Sequence, residues 1–447
     1  MLTSSVAQAP IRAGKGEGET VGIALLGFGT VGSEVFRLLQ ENADAFTHRI
    51  GGPAEVRGVA VSHVGNKPRP GVPKDLLTDD AAGLVTRDDI DLVVEVIGGI
   101  DFPRELVLTA LNAGKSVVTA NKALVAARAD ELAAAAEATG ADLYFEAAVA
   151  AAIPVVGMLR RSLAGDQVER ISGIVNGTTN FILDAMEATG ASYDDALAEA
   201  TRLGYAEADP TADVEGHDAA SKAAIMASLA FHTRVNFDDV YCQGISDITA
   251  GDIQAANEAG FSIKLLAICE RLRRDDGTEA VNARVHPALV RKEHPMASVS
   301  ESYNAIFVES EAAGELMFYG NGAGGNPTAS AVLGDVVGAA RNIVHGGRAP
   351  GENTYANLPI ASFGEVRTKF HIDMEVSDKL GVLKEVAGVF ARRDVSLRTV
   401  RQEDGEETAR LIVVTHSARE EVLEAIIDEL RALDSVHAVH SVIRLSE

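Results

Sequence analysis

From Val21 onward the chain alternates short β-branched runs with Ala- and Leu-rich stretches of helical spacing, the pattern of a parallel sheet with crossover helices. The runs Val21 to Leu26, Val56 to Val61, Asp91 to Ile97, Ser116 to Thr119 and Asp142 to Glu146 predict strands. Helices are expected between them, among others Pro103 to Asn112 and Ala123 to Thr139, with Pro103 in a first turn where its missing N–H costs nothing. After Ile153 the texture changes to longer Ala-rich helices, Ser192 to Leu203 and His217 to Phe231, beside β-rich stretches near Glu169 to Val175 and Ala280 to Val285. That change predicts a second, α+β domain. A Gly-rich passage, Tyr319 to Asn326, leads into a helix from Thr328 to about Val344, and His345 to Pro359, rich in Gly, Pro and Asn, reads as a linker. Beyond it, Phe370 to Val376, Leu380 to Arg392, Ser396 to Glu403, Ala409 to Thr415, Arg419 to Ala432 and Val436 to Leu445 spell strand, helix, strand, strand, helix, strand. This is the ferredoxin-like βαββαβ order, expected to be complete in itself.

The fold class that follows is α/β. A tail over 1–19 precedes a Rossmann-type parallel-sheet domain over 20–150, completed by about 320–345. An α+β domain for substrate and dimerisation covers 151–320, a linker 345–366 and the ferredoxin-like domain 367–447. Composition narrows the partners. A chain of 447 residues, 47% hydrophobic and 23% charged, can bury several cores, and its net charge of -25 repels phosphate backbones and anionic lipid, so a small-molecule partner is expected, with no nucleic acid and no membrane. The cysteines, Cys242 and Cys269, form no CxxC and read as buried small apolar residues, which argues against a disulfide framework or zinc site. Met1 to Thr20 lacks the apolar core of a secretion signal and reads as a flexible tail on a cytoplasmic protein; no run of about 18 apolar residues could span a bilayer.

The hexapeptide Gly27-Phe28-Gly29-Thr30-Val31-Gly32 follows one predicted strand and opens a predicted helix, the context a dinucleotide fingerprint requires. Gly27 would make the tight turn, Gly29 admit the pyrophosphate and Gly32 let helix and strand pack closely, with the helix N-terminus facing the phosphates. The second strand ends at Val61, Ser62 and His63 without the acid that would hold ribose hydroxyls. Lys67 and Arg69 follow and could meet a 2'-phosphate, which tilts the reading toward NADP, with NAD possible and solvated loop cations as the alternative. The Ile97-Gly98-Gly99 turn ends the third strand at the same sheet edge and is expected along the ribose or nicotinamide.

Hydride chemistry on an alcohol needs a base for the hydroxyl proton. Thr119-Ala120-Asn121-Lys122 puts an ammonium at the C-terminal end of the fourth strand, where it is either beside the nicotinamide or a surface charge at a helix start. A second stretch runs from Gly204 through Glu207 and Asp213 to Asp218 and Lys222. Asp218 and Lys222 stand four apart on one helix face, which fits an exposed ion pair or a catalytic one. A lysine serves as base only when desolvation or a neighbouring cation lowers its ordinary pKa of about 10.4; Lys122 could be that cation, and Glu207, Asp213 and Asp218 could hold an amine on the substrate.

The segments GFGTVG, TANKALV, FEAAVAAAIP, GIVNGTTNFIL, GYAEADPTADVEGHDAASK and GNGAGGNPTASAVLGDV stand in the order seen in homoserine dehydrogenases, and the chain resembles the longer, actinobacterial-type form from about Val21 to its end. The stretch from Gly204 to Lys222 is highly specific, the glycine fingerprint is not. The resemblance implies reversible NAD(P)-dependent interconversion of L-homoserine and L-aspartate 4-semialdehyde, in threonine, methionine and isoleucine biosynthesis. It implies Lys222 as the proton-transfer residue, Lys122 assisting beside the nicotinamide, and Gly204, Glu207 and Asp218 binding homoserine, Glu207 at its amino group. Asp213 and the Asn176-Gly177-Thr178-Thr179 turn would line the same pocket, and Gly322 and Gly324 would return to the cofactor. The family often holds a monovalent cation such as sodium; Glu146, Val149, Ala151 and Ile153 match those positions, although the Ala150-Ala151-Ala152 run would strain a backbone needing φ > 0.

The C-terminal unit resembles an ACT domain, with Asp378 and Gly381 in the loop after its first strand. Such domains pair with one another and hold an amino acid at that loop, usually threonine in this family, which implies a homo-oligomer, dimer or tetramer, under feedback control. Two rival readings differ in their residues. A 3-phosphoglycerate dehydrogenase also joins a Rossmann unit to an ACT domain, but its fingerprint lies mid-chain and a His/Glu pair does the chemistry. A non-catalytic sensor of NADP and an amino acid should have lost the lysine or the acids, and here all are present.

Overall fold

A computed structural model describes residues 13–65, 69, 71–351, 354–403 and 408–446. These divide into two compact units. The first takes the described residues of Met1–Val168, Ala224–Phe237 and Ser310–Asn357; the second takes those of Glu169–Ala223, Asp238–Glu309 and Leu358–Glu447.

The first unit holds six strands, β1 (Val21–Leu26), β2 (Ala54–Ala60), β3 (Leu77–Thr78), β4 (Leu92–Glu95), β5 (Ser116–Thr119) and β6 (Leu143–Tyr144), in the order β3-β2-β1-β4-β5-β6. Every neighbouring pair is parallel, which is the doubly wound Rossmann arrangement, with its reversal of strand order between β1 and β4. All six residues of β1 are buried, as a central parallel strand with both faces covered must be. One face is closed by helix Thr30–Glu41, through Val35, Phe36 and Leu39, and by helix Gly325–His345, through Val332, Leu333, Val336 and Ile343, all in one core with Val21, Ile23, Leu25, Leu92 and Val118. Each such side chain removed from water contributes about 1.5–3 kcal/mol.

Two strands are shorter than the pattern predicts, each for a visible reason. Asp91 to Ile97 ends at Glu95 because that buried carboxylate turns back to accept the amides of Ile97 (2.7 Å) and Gly98 (3.3 Å). Asp142 to Glu146 is pared to Leu143–Tyr144 because Glu146–Ala148 winds into a short helical turn. The described part of the N-terminal tail is tied down: the amides of Lys15 and Gly16 donate to the carbonyls of Ile343 (2.9 Å) and Val344 (3.0 Å), and Lys15 Nζ lies 2.8 Å from Asp91.

The second unit is built on a mixed sheet whose spine is the antiparallel hairpin Phe261–Arg273 and Glu279–Arg291, thirteen residues on each side, paired throughout. Toward one side lie Val168–Ile174 and then Tyr303–Ser310; toward the other lie Val436–Ser446, Phe370–Ser377, Thr408–Thr415 and Leu397–Glu403. The last four strands, with helices Val382–Arg392 and Glu420–Arg431, form the βαββαβ domain. Its core face alternates Phe370, Ile372, Met374 and Val376 against Val386, Phe390, Leu423 and Ile427.

That domain does not complete its sheet alone. Val436–Ser446 runs parallel to Glu279–Arg291, with Ala288 opposite Arg444, so one sheet continues through both. Arg444 is buried at the junction, where it pairs with Glu420, donates to Gln243 Oε1 at 2.7 Å and covers the rings of Tyr241, Phe363 and Phe370. The predicted linker is likewise fastened at its end, since Val281 N donates to Pro359 O at 2.9 Å. Cys269 is buried as expected, whereas Cys242 is only half-buried, its thiol pushed up to about 11 by desolvation and donating to Glu215 O at 3.2 Å.

Candidate active site

At the C-terminal ends of β1 and β4 a crevice of about 430 Å³ is lined by Gly27, Phe28, Gly29, Ser62, His63, Arg69, Val96, Ile97 and Phe102, among others. Gly27 has φ +102°, and a Cβ there would stand 2.9 Å from Val96 O. A Cβ on Gly32 would come within 2.3 Å of Gly27 O, whereas one on Gly29 would meet nothing within 4 Å. The three glycines thus have three physical grounds: conformation, close packing, and an open backbone that a ligand can approach. Thr30 and Val31 form the first turn of helix Thr30–Glu41, for which Gly29 is the N-cap, and the ring of Phe28 meets Phe36 edge-on at 5.8 Å.

Arg69 lines the crevice, and its guanidinium donates to His63 O (3.0 Å) and Val64 O (3.2 Å) just after β2. Lys67 lies outside the described residues. Opposite, the Ile97-Gly98-Gly99 turn, with φ of +86° and +81° at its glycines, is held by buried Glu95, which no motif singled out, and by Thr119 and Asn121 of the stretch before Lys122. Thr119 Oγ1 donates to Glu95 Oε2 (2.5 Å), and Asn121 Nδ2 donates to Gly99 O (2.7 Å) while its Oδ1 caps Leu124 N. An acid ending an otherwise apolar strand was the available sign that Glu95 had a task. Lys122 begins the following helix, exposed. Gly322 and Gly324 sit in the turn before helix Gly325–His345, and that turn comes back to the fingerprint, where a Cβ on Gly325 would be 3.1 Å from Thr30 O.

In the second unit the acids and the lysine converge. Asp218 and Lys222 occupy one face of helix His217–Phe231, as the spacing predicts, but the pair is buried: Lys222 is 8% and Asp218 7% exposed. Lys222 Nζ donates to Asp218 Oδ2 (2.7 Å) and to Val175 O (2.6 Å), the carbonyl just beyond strand Val168–Ile174. Asn176 Nδ2 donates both to Asp218 Oδ2 (2.9 Å) and to Asp213 Oδ1 (2.7 Å). Thr178 Oγ1 donates to Tyr205 O (2.7 Å) and lies 3.4 Å from Asp213 Oδ2. Thr178, Asp213, Asp218 and Lys222 are therefore one hydrogen-bonded group. Gly204, the left-handed C-cap of helix Tyr193–Leu203, and Glu207 are exposed on the segment whose Tyr205 carbonyl Thr178 holds.

A buried ion pair, braced by the Asn176 amide on its acid and the Val175 carbonyl on its lysine, is costly to remove from water. Such an arrangement presents a desolvated ammonium fit to exchange a proton with a bound alcohol.

Around Glu146 the carboxylate accepts the amides of Val156 (2.8 Å) and Gly157 (2.6 Å), and burial pushes its pKa up. Asp335 accepts Glu146 N at 2.8 Å and is pushed up to about 7, chiefly by burial. The alanine run takes the strained backbone the sequence raised as a concern, with φ of 53° at Ala150 and 44° at Ala151. Ile153 O receives Val155 N at 2.8 Å, and Val149 N reaches Glu146 O at 3.3 Å. Among the described residues no group of three or more His, Cys, Asp or Glu is placed to hold a metal, and no helix is long and apolar enough to cross a membrane. In the ACT-like domain, Asp378 and Gly381 line a hollow of about 450 Å³ with Gln402 and Leu411, and Gly381 caps helix Val382–Arg392 at φ +100°.

The doubly wound sheet, the fingerprint crevice and the buried lysine–acid group define an oxidoreductase with an NAD-binding domain. Family models agree and go further: residues 27–146 match the homoserine dehydrogenase NAD-binding domain, 154–337 the homoserine dehydrogenase domain and 371–435 the ACT domain. The homoserine dehydrogenase of Corynebacterium glutamicum is 69% identical over 97% of each chain. The crystal structure of a homoserine dehydrogenase from Thiobacillus denitrificans, 38% identical, covers 96% of this chain and 99% of its own with a TM-score of 0.88. A hyperthermophilic archaeal homoserine dehydrogenase in complex with NADPH, 27% identical, covers 75% of this chain and all of its own at a TM-score of 0.61. The chain belongs to the homoserine dehydrogenase family.

Proposed function

We propose that this protein interconverts L-homoserine and L-aspartate 4-semialdehyde, with Lys222 as the proton-transfer residue. The observation that carries the reading is the buried Lys222–Asp218 pair at 2.7 Å, its lysine held by the Val175 carbonyl and its acid by Asn176. In the oxidative direction neutral Lys222 takes the hydroxyl proton as hydride leaves the carbon, and in the reductive direction its ammonium returns that proton. Asp218, Asp213 and Thr178 line the homoserine pocket, with Gly204 and Glu207 at the end that receives the α-amino group, and Lys122 assists beside the nicotinamide.

The crevice fits a dinucleotide, since Gly29 leaves its backbone open and the helix N-terminus faces the phosphates. When bound, that cofactor supplies the hydride acceptor. We assign it as NADP: Arg69 lines the crevice beyond β2, where a cation could meet a 2'-phosphate, and no acid ends β2. Glu146 with the carbonyls of Val149, Ala151 and Ile153 fits a monovalent cation such as sodium: each carboxylate oxygen keeps a lone pair beyond its amide bond, and the ion would offset buried negative charge. Threonine is the effector assigned to the Asp378–Gly381 loop, in a cytoplasmic homo-oligomer, dimer or tetramer, serving threonine, methionine and isoleucine synthesis. Purified protein should reduce NADP, and more slowly NAD, with L-homoserine, and threonine should inhibit it; no homoserine-dependent reduction of either nucleotide would overturn the reading.

A further inference from the structure

Asn176 stands where the pocket's two acids meet, and both polar atoms of its side chain are engaged. Its Nδ2 spans Asp213 Oδ1 (2.7 Å) and Asp218 Oδ2 (2.9 Å), which come from different helices, Thr211–Val214 and His217–Phe231. Its Oδ1 accepts Thr179 N (2.9 Å) and Thr179 Oγ1 (3.0 Å), capping helix Gly177–Thr189. The residue is 5% exposed, and its neighbour Val175 supplies the carbonyl that holds Lys222 Nζ at 2.6 Å. Only a side chain with two N–H groups and one acceptor meets all these demands at once. Aspartate would cap the helix equally well but offer no donor, and serine would keep the cap with a single O–H.

We infer that Asn176 is a positioning residue: it clamps Asp213 to Asp218 and, by withdrawing charge from the same Asp218 oxygen that pairs with Lys222, sets how tightly the lysine keeps its proton. Among the described residues of this unit, the carboxylates linked to Lys222 Nζ are Asp218, paired with it on its own helix, and, through Asn176, Asp213 on the Thr211–Val214 turn. Without the amide, Asp218 holds the ammonium more strongly, and a third carboxylate at position 176 adds to that hold. This inference rests on the proton-transfer assignment of Lys222.

The test uses Asn176→Ser and Asn176→Asp in the full-length protein, with kcat, KM for homoserine, the pH profile of oxidation, NADP affinity and thermal stability measured for each. Both variants should keep NADP affinity within about twofold, because the amide touches only the acid pocket. The kcat at pH 8 should fall about tenfold in Asn176→Ser and further in Asn176→Asp, and the pH of half-maximal oxidation should rise by about one unit, with activity partly recovered at higher pH. KM should change less than kcat. A kcat and pH profile within twofold of the parent in both variants, or losses that track thermal stability with an unmoved pH profile, would overturn the inference. Lys222→Ala separates the two failures: if it is inactive while the Asn176 variants behave as the parent does, the clamp fails and the lysine assignment stands.

Discussion

In the cofactor crevice the shaping is done by what is absent. Gly27, Gly29 and Gly32 leave room for a turn, a ligand and a packed helix, and the side chains that matter, Glu95, Thr119 and Asn121, hold backbone in place. The lysine–acid group is the reverse, since Asn176, Thr178, Asp213, Asp218 and Lys222 are joined by hydrogen bonds to which each contributes a polar atom. One site should fail when an atom is added and the other when an atom is removed, and the two failures should appear in different measurements.

The largest expected effect is on the second site. Lys222→Ala should lower homoserine oxidation by at least the about 10²- to 10⁴-fold typical of proton-transfer groups, while NADP affinity by fluorescence titration stays near the parent's. Because the change also strands buried Asp218, stability should fall by about 3 kcal/mol; Lys222→Met, which restores the volume, should be just as inactive. Activity within a few-fold of the parent in both would reduce the pair to a structural one. At the first site Gly32→Val places its Cβ where only 2.3 Å separates it from Gly27 O. NADP affinity by calorimetry should drop about a hundredfold, roughly 2.7 kcal/mol, and unaltered binding would show that the turn relaxes.

The ACT-like domain sharpens the comparison, because its hollow combines both designs. Gly381→Asp adds a side chain at φ +100° and a carboxylate facing that of an amino-acid ligand. The threonine concentration giving half inhibition should rise about tenfold or more, by conversion of a loss of about 1.4 kcal/mol, with uninhibited kcat unchanged. Inhibition at the parent's threonine concentration would place the effector elsewhere. Deleting the chain from Thr368 is a harsher test. It bares the edge of Glu279–Arg291 and removes Arg444, so the truncated protein should melt earlier than the parent as well as lose threonine control.

The smallest effect concerns pH. His286 is fully buried near Arg444 and Arg284, and burial above all holds it neutral well below the ordinary imidazole range. The unfolded chain takes up a proton as pH falls through about 6.5 and the folded one does not, so stability is complete above that value and declines as pH falls toward 5. The decline is at most about 1.4 kcal/mol per pH unit for this site, and His286→Gln should flatten it by that share in melting curves. His371, also lowered mainly by burial, acts in the same direction.

How much of this was legible in the sequence differs between the regions for the same physical reason. Periodicity placed β1, β5 and helix His217–Phe231 at their observed bounds, and the glycine spacing between a predicted strand and a predicted helix pointed to the crevice, because a turn, a close approach and a tight packing contact each demand the residue without a Cβ. Strand Phe261–Arg273 went unread because Phe261 to Cys269 are buried on both faces, Ser262 and Lys264 included, so its polar positions mark no solvent face. The continuation of the ACT sheet into Glu279–Arg291 was also hidden, since a βαββαβ pattern does not state what its outer edge meets. At the lysine site the i,i+4 spacing gave one helix face, but burial and a clamp from Asn176, 37 and 42 residues distant from Asp213 and Asp218, are tertiary facts.

The central claim, that Lys222 moves the proton, is tested most directly by the pH dependence of homoserine oxidation measured with substrate deuterated at the carbon that yields hydride. With the isotope effect showing chemistry to be rate-limiting, the rate in the parent should climb as pH rises above neutral and the reverse reduction should favour lower pH. A full isotope effect with a flat profile in both directions would contradict the account.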